Sequence, residues 1–244
     1  MGRRAGGRGR LAAALATAWL AGAGCARPPA PVDLRIAIHS DPITLDPHLQ
    51  NEVLTHAVLG NLYEAATSID GEAQARPGLA TWENPDELTC RLHIRAGARF
   101  SDGRPVEAAD LAASLERARS HPRSHLRSYL VEVEAITTLD TRTVEIRTTR
   151  PLPVLLNRLA FVYVLPRDAP QEVRQPVGSG PYRLAAYEHG RRLRLEPRAD
   201  DPRARGARPV ELLVVPEARE RGDLLLAGRA DLVYDLAPGD VARV

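Results

Sequence analysis

From Asp33 to His39, Leu34, Ile36 and Ile38 alternate with Arg35 and Ala37. That period of two predicts a strand with one buried face. Ser40-Asp41-Pro42 and Asp46-Pro47 then pin a loop. Val53, Leu54, Ala57, Val58, Leu62 and Ala65 recur at helical spacing and predict a helix over 51–65, with Asn51 as its N-cap. Thr67–Ile69 with Asp70-Gly71 reads as a strand end and a turn. Leu88, Cys90, Leu92 and Ile94 alternate with polar residues, which gives a half-buried strand with Cys90 facing inward. Ala109, Leu111, Ala112, Leu115 and Ala118 predict an amphipathic helix over 106–119. Val131–Ile136 and Thr143–Thr148 read as a hairpin across Asp140-Thr141, followed by a short helix at 153–160 and a strand at 161–165.

The last third opens with Gly178-Ser179-Gly180-Pro181, a turn in which the glycines are expected at positive φ and Pro181 sets the exit direction. Tyr182, Leu184 and Ala186 then share one face, Glu188-His189-Gly190 turns the chain, and Leu193 and Leu195 alternate with arginines. This hairpin reads as the point where the chain returns to the sheet begun at Asp33. A loop rich in Arg, Asp and Pro follows at 197–209. A strand at 210–215, a helix at 217–228 stopped by Gly228, a strand at 231–235 and a helical turn from Pro238 complete the pattern. The class is α/β.

The N-terminus reads as an address. Arginines and glycines dominate 1–10, and Leu11–Ala23 is apolar but too short to span a bilayer. Small residues lead directly to Cys25. This plan resembles a bacterial lipoprotein signal over 1–24, which implies lipidation of Cys25. The competing reading is an ordinary secretory signal cleaved nearby, and both predict export. Residues 25–32 then form the lipid anchor and a proline-rich tether that holds the domain off the membrane.

Composition narrows the function. Of 244 residues 44% are hydrophobic, enough for a real core, and the net charge is only +2. Acids and arginines are interspersed along the chain, which argues against nucleic acid as a partner. Two cysteines cannot build a disulfide framework or a cysteine-based metal site. His121 and His125 are four apart, but Pro122 breaks the helix that would align them, and no HExxH occurs. No metal or cofactor is expected. Cys90 suits a small apolar filler better than a nucleophile, and GxSxG is missing, so no enzyme is expected.

The pieces DLRIAIHSDPITLDPHL (33–49), NLYEA (61–65), RPGLATWE (76–83), LHIRAGARFSDGRPVEAADLAASLERAR (92–119), PVGSGPYRL (176–184) and LLLAGRADL (224–232) occur in one order. In that order they resemble the family 5 extracellular solute-binding proteins, the peptide- and nickel-binding components of ABC importers. The resemblance implies a type 2 periplasmic binding fold. Lobe I would be a discontinuous mixed sheet with helices, formed by 33–75 and 177–244. An α+β domain would be inserted at 76–176, and the second lobe would lie beyond the region matched here. It also implies a small peptide or similar solute as ligand, an ABC permease as partner, and a place in the periplasm or on the outer face of the cell membrane.

Matching positions for ligand contact are His39, Ser40, Asp41, Ile43 and Thr44 in the loop after the first strand. Tyr129 lies in a loop that borders the ligand in oligopeptide binders, and Gly178 and Ser179 lie near the hinge. The bland alternatives are a proline-capped turn, core packing and a structural turn, respectively. The family's carboxylate for the ligand ammonium has no counterpart in this sequence. The rival reading is a truncated envelope lipoprotein that serves as a protein-interaction module, or a fragment without ligand binding.

Overall fold

The computed structural model describes residues 34–243. The signal, Cys25 and the tether lie outside the described residues. Strand β1 (Leu34–Ile38) pairs in parallel with β10 (Val210–Val214) and with β11 (Leu232–Val233). The hairpin of β8 (Tyr182–Glu188) and β9 (Arg192–Pro197) adds antiparallel through β9, giving a five-stranded sheet ordered β11-β1-β10-β9-β8. The opening strand is therefore central, between partners about 175 and 196 residues later, because its alternating pattern must be covered on both edges.

The intervening chain builds a second, antiparallel sheet ordered β4-β5-β7-β6. Its strands are β4 (Ala80–Asp86), β5 (Thr89–Ile94), β6 (Val133–Thr138) and β7 (Thr143–Thr148). Helix α2 (Ala108–Ser120) packs on this sheet, burying Leu111, Leu115 and Ala118 with Leu92, Val144 and Ile146. Helix α3 (Leu155–Leu159) closes the same core. A small hairpin, β2 (Thr67–Ile69) with β3 (Ala75–Pro77), leads into it. The other core lies under the five-stranded sheet, where α1 (Val53–Leu59) packs Leu54, Val58 and Leu59 with Leu193, Leu195 and Leu212. Helix α4 (Ala218–Leu226) joins β10 to β11 and ends before Gly228, which takes the expected positive φ.

Four expectations change. The first helix is only seven residues long and is capped by Glu52, whose carboxylate accepts from the Leu54 and Thr55 N–H groups at 2.8 and 2.7 Å. It stops at Gly60 because the Asn61 and Leu62 carbonyls are needed elsewhere, accepting from the N–H groups of Tyr182 and Gly180. Residues 161–165 form one bridge, Ala65 with Tyr163, instead of a strand. Their alternation arises because Val162 and Val164 enter the second core while Tyr163 and Leu165 enter the first. In β8 a bulge between Leu184 and Ala186 turns Ala186 out and Tyr187 in.

The fourth concerns the glycine turn. Neither Gly178 nor Gly180 has positive φ. They are glycines because the turn lies against the chain after α1: a Cβ at Gly178 would sit 2.1 Å from the Leu62 carbonyl oxygen, and one at Gly180 2.4 Å from that of Asn61. Gly178→Ala should therefore cost more than about 2 kcal/mol in chemical denaturation. Gly71→Ala, where the added methyl meets nothing within 4 Å, should stay within about 0.5 kcal/mol of the parent.

The two sheets are joined by a buried charge cluster. Asp46, fully buried in the loop after β1, accepts from both Nη atoms of Arg117 on α2 at 3.0 and 2.6 Å. It also accepts from the Val173 and His48 N–H groups at 2.9 and 3.0 Å. His48 places Nε2 2.8 Å from the Tyr163 carbonyl oxygen and Nδ1 3.0 Å from Arg117. Burial pushes the Asp46 carboxyl up, but Arg117 and the backbone donors outweigh it and hold the group below its ordinary range. Burial, with Arg117 adding to it, pushes His48 down to about 4 from 6.5.

Folded His48 thus stays neutral where the unfolded chain takes up a proton. Its contribution is present above the unfolded value near 6.5 and is lost as pH falls towards about 4. Asp46 acts in the same direction, losing its contribution as pH falls through its depressed folded value. Stability should therefore decline on acidification from pH 6.5, with His48 adding up to about 1.4 kcal/mol per pH unit. His56, lowered by burial, adds to the same slope. In His48→Gln, denaturation across this range should show a slope shallower by nearly one proton. An unchanged slope would contradict the assignment.

Candidate functional site

Strands β1, β10 and β11 run the same way, and β8 runs with them because β9 opposes both β8 and β10. Their carboxyl ends meet at one edge of the sheet, the usual place for a ligand in an open α/β sheet. His39 follows β1 there, Tyr234 and Asp235 follow β11, and the turn His189-Gly190 follows β8. The edge is closed by the Ile38 carbonyl accepting from Val215 N–H and the Ala37 carbonyl accepting from Tyr234 N–H, each at 2.8 Å.

The His39 ring stacks on Tyr234 with centroids 5.9 Å apart, and its Nδ1 lies 3.8 Å from the Asp235 carboxylate. Asp235 has φ +62, a conformation that costs a non-glycine residue energy. Buried Arg221 of α4 holds it: Nη2 donates to the Asp235 carbonyl at 2.5 Å, and Nη1 donates to the Val215 and Pro216 carbonyls at 2.8 Å. Asp41 accepts from Gly190 N–H and lies 2.9 Å from His189 Nδ1, which is also 2.9 Å from the Tyr187 hydroxyl. Burial, then the Asp41 charge, raises the Tyr187 phenol above its ordinary value.

The other residues of the loop serve its shape. Ile43 is 64% exposed, and its N–H donates to Thr55 Oγ1 at 3.0 Å. Thr44 Oγ1 accepts from Asp46 N–H at 3.0 Å, and Ser40 is half-buried beside Asp41. Tyr129 belongs to the second sheet's core but reaches this wall through rings. It meets Phe161 edge-on at 5.5 Å, Phe161 meets His56 of α1 at 5.4 Å, and His56 stacks on Tyr163 at 4.8 Å. Thus His39, Ser40, Asp41, Ile43 and Thr44 form one group, and Tyr129 approaches it across α1.

Gly178 and Ser179 lie at the opposite, amino edge, where β8 begins. Ser179 is buried there, and its carbonyl accepts from Arg203 Nη2 at 2.8 Å. Pattern reading missed Tyr187, His189, Tyr234 and Asp235, because only the register of distant strands brings them beside His39. The one signal available was a tyrosine ending the last strand pattern.

Four buried side-chain polar atoms have no hydrogen-bond partner among the described residues, and three are at this edge: His39 Nδ1, Asp41 Oδ1 and Arg221 Nε. Such atoms concentrate where a ligand or water completes the bonding. Two carboxylates, two imidazoles and two phenol rings suit a solute carrying an ammonium group and polar atoms. Nothing here resembles a nucleophile with its base. Cys90 is buried in the other core, and burial raises its thiol to about 11. Among the described residues no group of metal ligands assembles, and no helix is long and apolar enough to cross a membrane.

A mixed α/β fold with a parallel-strand edge of this kind defines a binding-protein lobe. Residues 63–244 match the family model for bacterial extracellular solute-binding proteins, family 5 middle, and the chain belongs to that family. It is 32% identical over 193 residues to the glutathione-binding protein GsiB of Escherichia coli K12, covering 73% of this chain and 36% of that protein. Among solved structures, Haemophilus influenzae OppA in complex with RPPGFSPFR superposes with a TM-score of 0.77 at 24% identity, covering 87% of this chain and 48% of that one. The binding protein AgaA with agropinic acid, from A. tumefacien R10, gives 0.78 at 25% identity, covering 86% and 45%. The chain spans about a third of the length of the curated relatives and under half of the solved chains, as a single lobe would.

Proposed function

We propose that this chain is part of the substrate-binding component of an ABC importer. It captures a small peptide or similar amino-acid-derived solute outside the membrane and hands it to a permease. Membership of an extracellular solute-binding family supports export, and relatives that are binding proteins support a role without catalysis. GsiB is named for glutathione, and the two solved relatives hold a peptide and an opine acid. All three ligands derive from amino acids.

In this reading residues 33–75 and 177–244 form lobe I, and 76–176 form the inserted domain. Support comes from the pairing of β1 with β10 and β11, and from the separate sheet made by β4 to β7. Cys25 would carry the lipid anchor. His39, Ser40, Asp41, Ile43, Thr44 and Tyr129 would face the solute. Gly178 and Ser179 would shape the turn behind them.

One observation carries the assignment. Unpartnered polar atoms of His39 and Asp41 lie together at the carboxyl ends of the parallel strands, beside Asp235. Removing a charge that contacts a solute ammonium weakens binding by about ten- to a hundredfold. Calorimetric titration of the protein with glutathione and short peptides should show that loss in Asp41→Asn and in Asp235→Asn. Ser179→Ala, at the far edge, should bind as the parent does. Equal affinity in all three variants would remove the site from this edge.

A further inference from the structure

The arginines are interspersed with acids along the sequence, but folding gathers a surplus at one place. Strand β1 begins, β9 ends and β10 begins at the amino edge of the five-stranded sheet. The loop 197–209 therefore lies there, fixed by Leu34 N–H donating to the Pro209 carbonyl at 3.3 Å and by the Tyr182 hydroxyl donating to the Arg208 carbonyl at 3.2 Å. The turn before β11 joins it, since Arg35 Nη2 donates to the Gly228 carbonyl at 2.9 Å.

Each acid of this edge already has an arginine. Asp200 pairs with Arg198, Asp201 with Arg203, Asp231 with Arg35, and Glu196 with Arg183. Arg205, Arg208 and Arg229 remain, all exposed, and none has a carboxylate partner among the described residues. The carboxyl edge differs: Asp41, Glu188 and Asp235 stand there. The lobe is thus polarised, with free positive charge at the end where the chain enters.

That entry point selects the partner. Leu34 is nine residues from Cys25, a reach of at most about 32 Å. A lipid on Cys25 would hold the amino edge, not the solute edge, close to the membrane. One acyl signal gives weak anchoring, and a basic patch is the usual second signal. We propose that Arg205, Arg208 and Arg229 form a docking surface for anionic phospholipid headgroups, which orients the lobe with its solute edge facing away from the bilayer. The patch is a property of the folded edge, independent of solute binding. Lipidation of Cys25 supports the orientation but is not required for the charge attraction.

The test is vesicle partitioning of the full chain. The probes are phosphatidylcholine vesicles with and without about 30 mol % phosphatidylglycerol. The N-terminal segment is common to every variant, so differences report the patch. The combined Arg205→Gln, Arg208→Gln and Arg229→Gln variant should lose about ten- to a hundredfold of its partitioning to the anionic vesicles, and little to the neutral ones. The parent's preference for anionic vesicles should shrink as salt rises. Arg191→Gln, which removes one charge beside the opposite edge, should partition as the parent does. Equal partitioning of parent and triple variant overturns the proposal. So does a loss in Arg191→Gln per charge as large as in the triple variant, which would assign the effect to net charge. Mass analysis of Cys25 answers separately whether the lipid is present.

Discussion

A carboxylate with no access to water holds the two halves of this structure together. Asp46 is in the loop that follows the first strand, yet its partners come from α2 and from Val173. Each of the two sheets has its own core, and apolar packing within a core does not fix one sheet against the other. A buried charge does, because leaving either Asp46 or Arg117 alone in the interior is costly. His48 completes the cluster by reaching the Tyr163 carbonyl, in the segment whose side chains alternate between both cores.

The same cluster shapes the functional edge. Residues 39–44 and Asp46 belong to one short loop, pinned at Thr44 by the Asp46 N–H and at Ile43 by Thr55. With the loop fixed, His39 rests on Tyr234 and Asp41 meets the β8–β9 turn. The site is thus assembled from three sequence regions that share a sheet edge, and its charges are set by the fold before a solute arrives. Preorganised polar groups of this kind lower the ordering cost of binding.

Much of this was legible in the pattern of residues. The return of the chain at the glycine turn, the amphipathic helix α2 and the inward Cys90 follow from periodicity and local chemistry. The motif order pointed to the family that the comparisons identify. What escaped was long-range. Tyr163 and Leu165 mimic a strand because they serve two cores at once. Gly178 and Gly180 are required by a backbone 116 to 119 residues earlier, not by their own φ. Tyr187 replaces Ala186 on the inner face because of a bulge with no sequence mark. Tyr234, Asp235 and His189 join the site only through register, which a single sequence does not carry.

The account stands or falls on the coupling between Asp46 and Arg117. A double-mutant cycle in chemical denaturation, using Asp46→Asn, Arg117→Met and the combined variant, measures it directly. The buried pair predicts an interaction energy of about 2 kcal/mol or more, with the double variant much less destabilised than the sum of the singles. Additivity within about 0.5 kcal/mol would mean that the two sheets are joined by something else.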